Sequence, residues 1–81
     1  MKIKLLFFAT LKNRFRSEEA TVEIDRPCPA QELFLRLFSD RSEAGRFLPS
    51  TRFAVNCEYV PSETLVHDGD ELAFIPPVSG G

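Results

Sequence analysis

At 81 residues the chain has room for one hydrophobic core, because domains usually run to roughly 100–150 residues. A content of 43% hydrophobic and 27% charged residues is that of an ordinary globular chain, which excludes the disordered, collagen-like and disulfide-scaffold classes. The formal net charge of −2 is unevenly spread: all ten Lys and Arg lie between Lys2 and Arg52 with seven acids, whereas Phe53 to Gly81 holds five acids and no cation, a field unsuited to gripping phosphate or nucleic acid and suited to a basic protein surface.

Lys2 and Lys4 precede the apolar run Leu5–Ala9, but that run is shorter than the ~7–15 residues of a secretion signal, and no stretch reaches the ~20 of a membrane helix. Two cysteines, Cys28 and Cys57, are too few to staple a secreted mini-protein, so a cytoplasmic location is expected. The same N-terminal run has period two, with Ile3, Leu5 and Phe7 on one side and Lys4, Leu6 and Phe8 on the other, and predicts a first strand. The polar stretch Thr10–Ala20 then reads as the connection of a long-looped hairpin to a second strand, Thr21–Asp25, with Val22 and Ile24 inward. Pro27 and Pro29 end that strand. Ala30, Leu33, Phe34, Leu37 and Phe38 make the apolar stripe of an amphipathic helix, with Pro29 suited to its first turn. Gly45 and Pro49 predict a broken segment in which Phe47 and Leu48 form a plug under a loop.

Phe53–Val55 and Glu58–Val60 flank Asn56-Cys57, a two-residue hairpin turn in which Cys stands where Gly is common. His67-Asp68-Gly69-Asp70 is a turn signal, and Glu71–Ile75 a final strand with Leu72 and Phe74 inward. Together these predict a two-layer α+β domain over residues 1–75: a mixed sheet with one main helix on one face, and the first and last strands parallel and adjacent in its centre. Residues 76–81 read as an extended tail.

Most catalytic constellations are missing. His67 is the lone histidine and falls in a turn; the cysteines form no C-x-x-C pair; there is no phosphate-binding G-x-x-x-x-G-K-[ST] loop. No metal and no cofactor bound by this chain is expected. Cys28, near a helix N-terminus, is expected to have a somewhat acidified thiol without a catalytic role. What remains is the ending Ile75-Pro76-Pro77-Val78-Ser79-Gly80-Gly81. It reads either as a frayed terminus or as a probe. In the second reading Pro76 and Pro77 favour an extended exit, six residues reach about 20 Å at ~3.3 Å each, and Gly80 and Gly81 let a terminal carboxylate pass a narrow channel. A carboxylate is a poor electrophile, so the tail is useful as a reacting group once a partner has made it an acyl adenylate; sulfur attack on that mixed anhydride leaves a thiocarboxylate.

Lys4-Leu5-Leu6-Phe7-Phe8-Ala9, Asp68-Gly69-Asp70-Glu71 and Phe74-Ile75-Pro76-Pro77-Val78-Ser79-Gly80-Gly81 closely resemble the small subunits of molybdopterin synthase over essentially the whole chain. The resemblance implies a ubiquitin-like β-grasp fold. It implies that Gly81 is the reacting residue and Gly80 its slender support. The chain would have no activity alone: an adenylyltransferase related to ubiquitin-activating enzymes would activate Gly81 with ATP, a persulfide donor would supply sulfur, and the tail would enter the large synthase subunit and give sulfur to a cyclic pterin precursor. A hetero-oligomer pairing two small with two large subunits follows by the same resemblance, with no nucleic-acid or membrane partner. One departure is that Asn13–Ser17, in the loop after the first strand, lacks the glycine that many members have there.

If Ile3, Leu5, Phe7, Leu72 and Phe74 face the helix, then Leu6, Phe8, Ala73 and Ile75 face the uncovered side, joined by Tyr59. Such a cluster suits a protein interface. Phe8, Tyr59 and Ile75, the tail residues Pro76, Pro77, Val78 and Ser79, and Lys12 at the edge are the predicted partner contacts. Two other readings share the pattern: a ubiquitin-like modifier or a carrier for thiamine or tRNA thiolation, and an interaction module with an inert tail.

Overall fold

In the computed structural model, which describes residues 1–77, β1 (Lys2–Phe7) lies inside a five-stranded sheet of order β2-β1-β7-β4-β5. Its burial follows the two-residue repeat: Ile3, Leu5 and Phe7 are buried, Lys4 exposed and Leu6 half-buried. β2 (Glu19–Glu23) pairs with it antiparallel, with Ile3 opposite Val22 and Leu5 opposite Ala20. β7 (Glu71–Ile75) pairs with its other side in parallel, with Leu5 opposite Leu72 and Phe7 opposite Phe74, as expected for a right-handed crossover. β4 (Arg52–Val55) runs antiparallel to β7, and β5 (Glu58–Val60) closes the far edge as the second arm of the Asn56-Cys57 hairpin.

α2 (Ala30–Arg36) covers one face, burying Ala30, Leu33 and Phe34, with Phe38 buried just beyond. Phe34 is the centre of the core: its ring lies 5.1 Å from Phe38, 5.3 Å from Phe74 and 6.0 Å from Phe53. The aromatics meet mainly edge to face or tilted, the arrangement their quadrupoles favour. The α+β arrangement, with the first and last strands parallel in the centre and the helix on one side, is the predicted one.

Four local expectations are corrected. The polar connection is not a plain loop: Ala9–Phe15 is a helix, α1, held to the core by buried Leu11 and by Phe15, whose ring is 5.1 Å from Phe7. It ends on Arg16 in the left-handed region (φ 54°), so the turn for which glycine is the usual choice is made here by arginine. Gly45 breaks nothing; it lies within α3 (Arg41–Phe47), started by Asp40, whose side chain accepts a 2.8 Å hydrogen bond from the Ser42 N–H. A 3-10 turn at Leu48–Ser50 follows, and Phe47 stacks on Phe38 at 5.8 Å. β2 begins two residues before the predicted start, and Ile24 is buried just past its end, where its N–H and carbonyl bond Met1. Finally, β3 (Cys28–Pro29) and β6 (Leu65–Val66) form a separate two-stranded ribbon, which leaves Pro29 as the N-cap of α2.

Candidate functional site

The face of the sheet away from α2 is uncovered, and the register determines what it displays. Leu6 is opposite Glu19 on one side and Ala73 on the other; Ala73 is opposite Ala54, and Ala54 opposite Tyr59. One row across the sheet therefore reads Glu19, Leu6, Ala73, Ala54, Tyr59. In the next row toward the C-terminal end of β7, Ile75 is opposite Arg52, and Phe8 follows β1 as the N-cap of α1. Phe8 is 45% and Tyr59 69% exposed, both far above a core aromatic. Leu6, Phe8, Tyr59, Ala73 and Ile75, together with Ala54, Cys57 and Glu71, line a hollow of about 200 Å³. The structure thus brings together the apolar residues predicted to share this side. Ala54 was missed, although inward Phe53 implied its outward place by simple alternation.

Lys12 is at the edge of an adjoining hollow with Leu6 and Phe8, but its ammonium is 2.8 Å from Glu18. That hydrogen bond and charge hold the Glu18 carboxyl below the usual range for a glutamate. Lys12 is therefore engaged within its own chain. Pro76 is buried and Pro77 exposed. Val78, Ser79, Gly80 and Gly81 lie outside the described residues.

Beside the hollow, a hydrogen-bond network fixes the start of β7. Asn56 Nδ2 donates to Asp70 Oδ1 at 3.1 Å, Asn56 Oδ1 accepts from the Glu71 N–H at 3.0 Å, and the His67 N–H donates to Asp70 Oδ2 at 2.7 Å. His67 itself is exposed in that turn. Cys57 is exposed, whereas Cys28 is buried and its thiol pKa is raised, first by burial and then by the nearby Glu32 carboxylate. The expected acidified thiol is corrected accordingly: desolvation of the thiolate outweighs proximity to a helix end. Among the described residues no cluster of three or more His, Cys, Asp and Glu is placed to hold a metal ion, and no helix is long and apolar enough to cross a membrane.

Residues 5–81 match the ThiS family. The molybdopterin synthase sulfur carrier subunit of Chlamydomonas reinhardtii is 32% identical, with all of both chains covered. Among solved structures, SAMP1 from Haloferax volcanii superposes with a TM-score of 0.80 at 24% identity, covering all of both chains. The protein-protein complex of subunits 1 and 2 of molybdopterin-converting factor from Helicobacter pylori contains a chain with a TM-score of 0.63 at 23% identity, again over all of both chains. These likenesses show the ubiquitin-like β-grasp fold.

Proposed function

Because this chain belongs to the ThiS family, we propose that it is the sulfur carrier subunit of a molybdopterin synthase, chemically inert alone and reactive through Gly81. One observation carries the reading: the last strand is central in the sheet and ends, at Ile75, on the lip of an uncovered apolar face. A partner seated on Leu6, Phe8, Tyr59 and Ile75 receives the segment that follows Pro77. The face docks; the tail reacts.

The chemistry is that of a carboxylate made electrophilic by others. An activating adenylyltransferase joins the Gly81 carboxylate to the α-phosphate of ATP and releases pyrophosphate. A persulfide sulfur attacks the acyl carbon and expels AMP; a thiol then reduces the resulting acyl disulfide, leaving the thiocarboxylate and a disulfide. In the large synthase subunit that sulfur attacks a carbon of the cyclic pterin precursor and displaces the oxygen substituent there, which leaves with the bonding electrons, and water then cleaves the acyl–sulfur bond, returning the carboxylate. ATP and sulfur donor act in partner enzymes, and the assembly, in the cytoplasm, pairs two small with two large subunits as a transferase. Pro76, Pro77, Val78 and Ser79 serve as the gripped stem, and Gly80 as the unit slim enough to precede the reacting carbon.

Intact-mass spectrometry of the protein from its native cell tests this directly: a fraction heavier by about 16 Da, oxygen exchanged for sulfur, is expected. Deleting Gly81 abolishes sulfur transfer with no change in the thermal transition; wild-type transfer after the deletion refutes the assignment. A second reading, a protein modifier, is favoured by the shared fold of the archaeal SAMP1, and conjugates of this chain on lysines of other proteins would establish it.

A further inference from the structure

We propose that Ala54 and Ala73 form the floor of a socket that takes one bulky apolar side chain of the large synthase subunit, with a lysine or arginine of that partner set against Glu71. The inference rests on the docking reading above and deepens it by naming what enters the face.

Leu6, Ala73, Ala54 and Tyr59 lie opposite one another on four successive strands. With neighbouring strands about 4.8 Å apart, Leu6 and Tyr59 stand roughly 14 Å from each other with only two methyl groups between them. The middle of a sheet ordinarily carries β-branched or aromatic side chains, and alanine is depleted there. Two alanines in register make a pit. Both are sunk, with 6% exposure for Ala54 and 8% for Ala73, while the surrounding Leu6, Phe8, Tyr59 and Ile75 remain accessible. The hollow of about 200 Å³ is roomy enough for water, but its methyls and rings offer water few hydrogen bonds. A flat partner surface leaves that water in place. One protruding aliphatic or aromatic side chain expels it, and buried anchors of this kind dominate interface energetics.

Charge defines the partner's side of the contact. Glu71 is half-buried on the lip, 3.9 Å from the Lys4 ammonium, which lies closer to Glu19 at 3.2 Å; one cation thus serves two carboxylates. From Phe53 to Pro77 there are five acids and no Lys or Arg. A cation beside the inserted side chain completes this lip.

Calorimetric titration of the full chain with the large synthase subunit of the same organism tests the socket. Ala54→Thr and Ala73→Thr raise the floor with a good strand former, and thermal melts verify that each variant is folded. Each is expected to weaken binding by about tenfold or more, as overpacking does, whereas Thr21→Leu, on the same face but off the socket, changes it less than about twofold. Glu71→Gln is expected to weaken binding and flatten its salt dependence. If Phe8→Asp weakens binding while both folded threonine variants bind like wild type, the socket is overturned and the docking reading stands. If Phe8→Asp is also without effect, the docking reading itself falls. A wild-type chain that self-associates, with the threonine variants monomeric, overturns the named occupant in favour of a second copy.

Discussion

Backbone conformation at single residues carries much of what is particular to this chain. Asn56 and Cys57 both have positive φ, 51° and 72°, in the tight turn joining β4 to β5. Asn56 uses its side chain there, bonding Asp70 and Glu71 and so tying the turn to the start of β7. Among the described hydrogen bonds Cys57 has no such compensation. A left-handed residue costs about 1–2 kcal/mol, and glycine returns about 0.5–1 kcal/mol in unfolded-state entropy, so Cys57→Gly is expected to stabilise the domain by up to about 1 kcal/mol, read as a higher urea midpoint. The thiols also separate by reactivity. Cys57 is expected to react with a disulfide reagent in the native protein, and buried Cys28 only after unfolding; two fast thiols in the native state would contradict the burial. Because the Cys28 pKa is raised, its contribution is whole below the thiol's unfolded pKa and is lost as pH rises past that value toward the folded one.

Among the elements, the five strands of the main sheet and α2 were legible, whereas α1, α3 and the β3–β6 ribbon were not. β1 is buried at every second residue and α2 has a full apolar stripe, so their burial is written in the local pattern, whereas β4 and β7 also bury Ala54 and Ala73 between their inward residues. α1 offers only Leu11 and Phe15 amid Lys12, Asn13 and Arg14, and α3 buries only Ala44. Each is held by partners far away in the chain. Arg14 joins them: its guanidinium bonds Glu43 at 2.6 Å and lies 5.6 Å from the Phe15 ring centre and 5.7 Å from that of Phe38. No local window contains that contact. Gly45 misled for the same reason, since its place in a helix is imposed from outside. An added Cβ there meets nothing within 4 Å, so Gly45→Ala is expected to raise stability by about 0.5–1 kcal/mol in the same denaturation experiment. A loss instead would show that α3 needs the flexibility. The uncovered face was legible because alternation that sends Ile3, Leu5, Phe7 and Phe74 inward must send Leu6, Phe8 and Ile75 outward. Its depth was not, because the pit depends on Ala54 and Ala73 meeting across β4 and β7.

At the level of the whole molecule, one face of the sheet carries the packed core and the other is the open one on which we propose docking. Phe34→Ala removes the ring on which Phe38, Phe53 and Phe74 converge and is expected to cost about 3–5 kcal/mol, much of the ~5–15 kcal/mol that holds a domain together. Its thermal transition should fall sharply or vanish. Phe8→Asp, on the open side, is expected to leave that transition nearly in place. The central pairing of β1 with β7 also bears on how the molecule comes into being. Residues 2–7 leave the ribosome well before the strand they need, residues 71–75, and β4 pairs with that same later strand. A nascent polypeptide stalled or clipped before Glu71 has no middle to its sheet and stays open to proteases. Resistance to proteolysis is thus expected only of copies that include the strand after which the prolines and glycines follow.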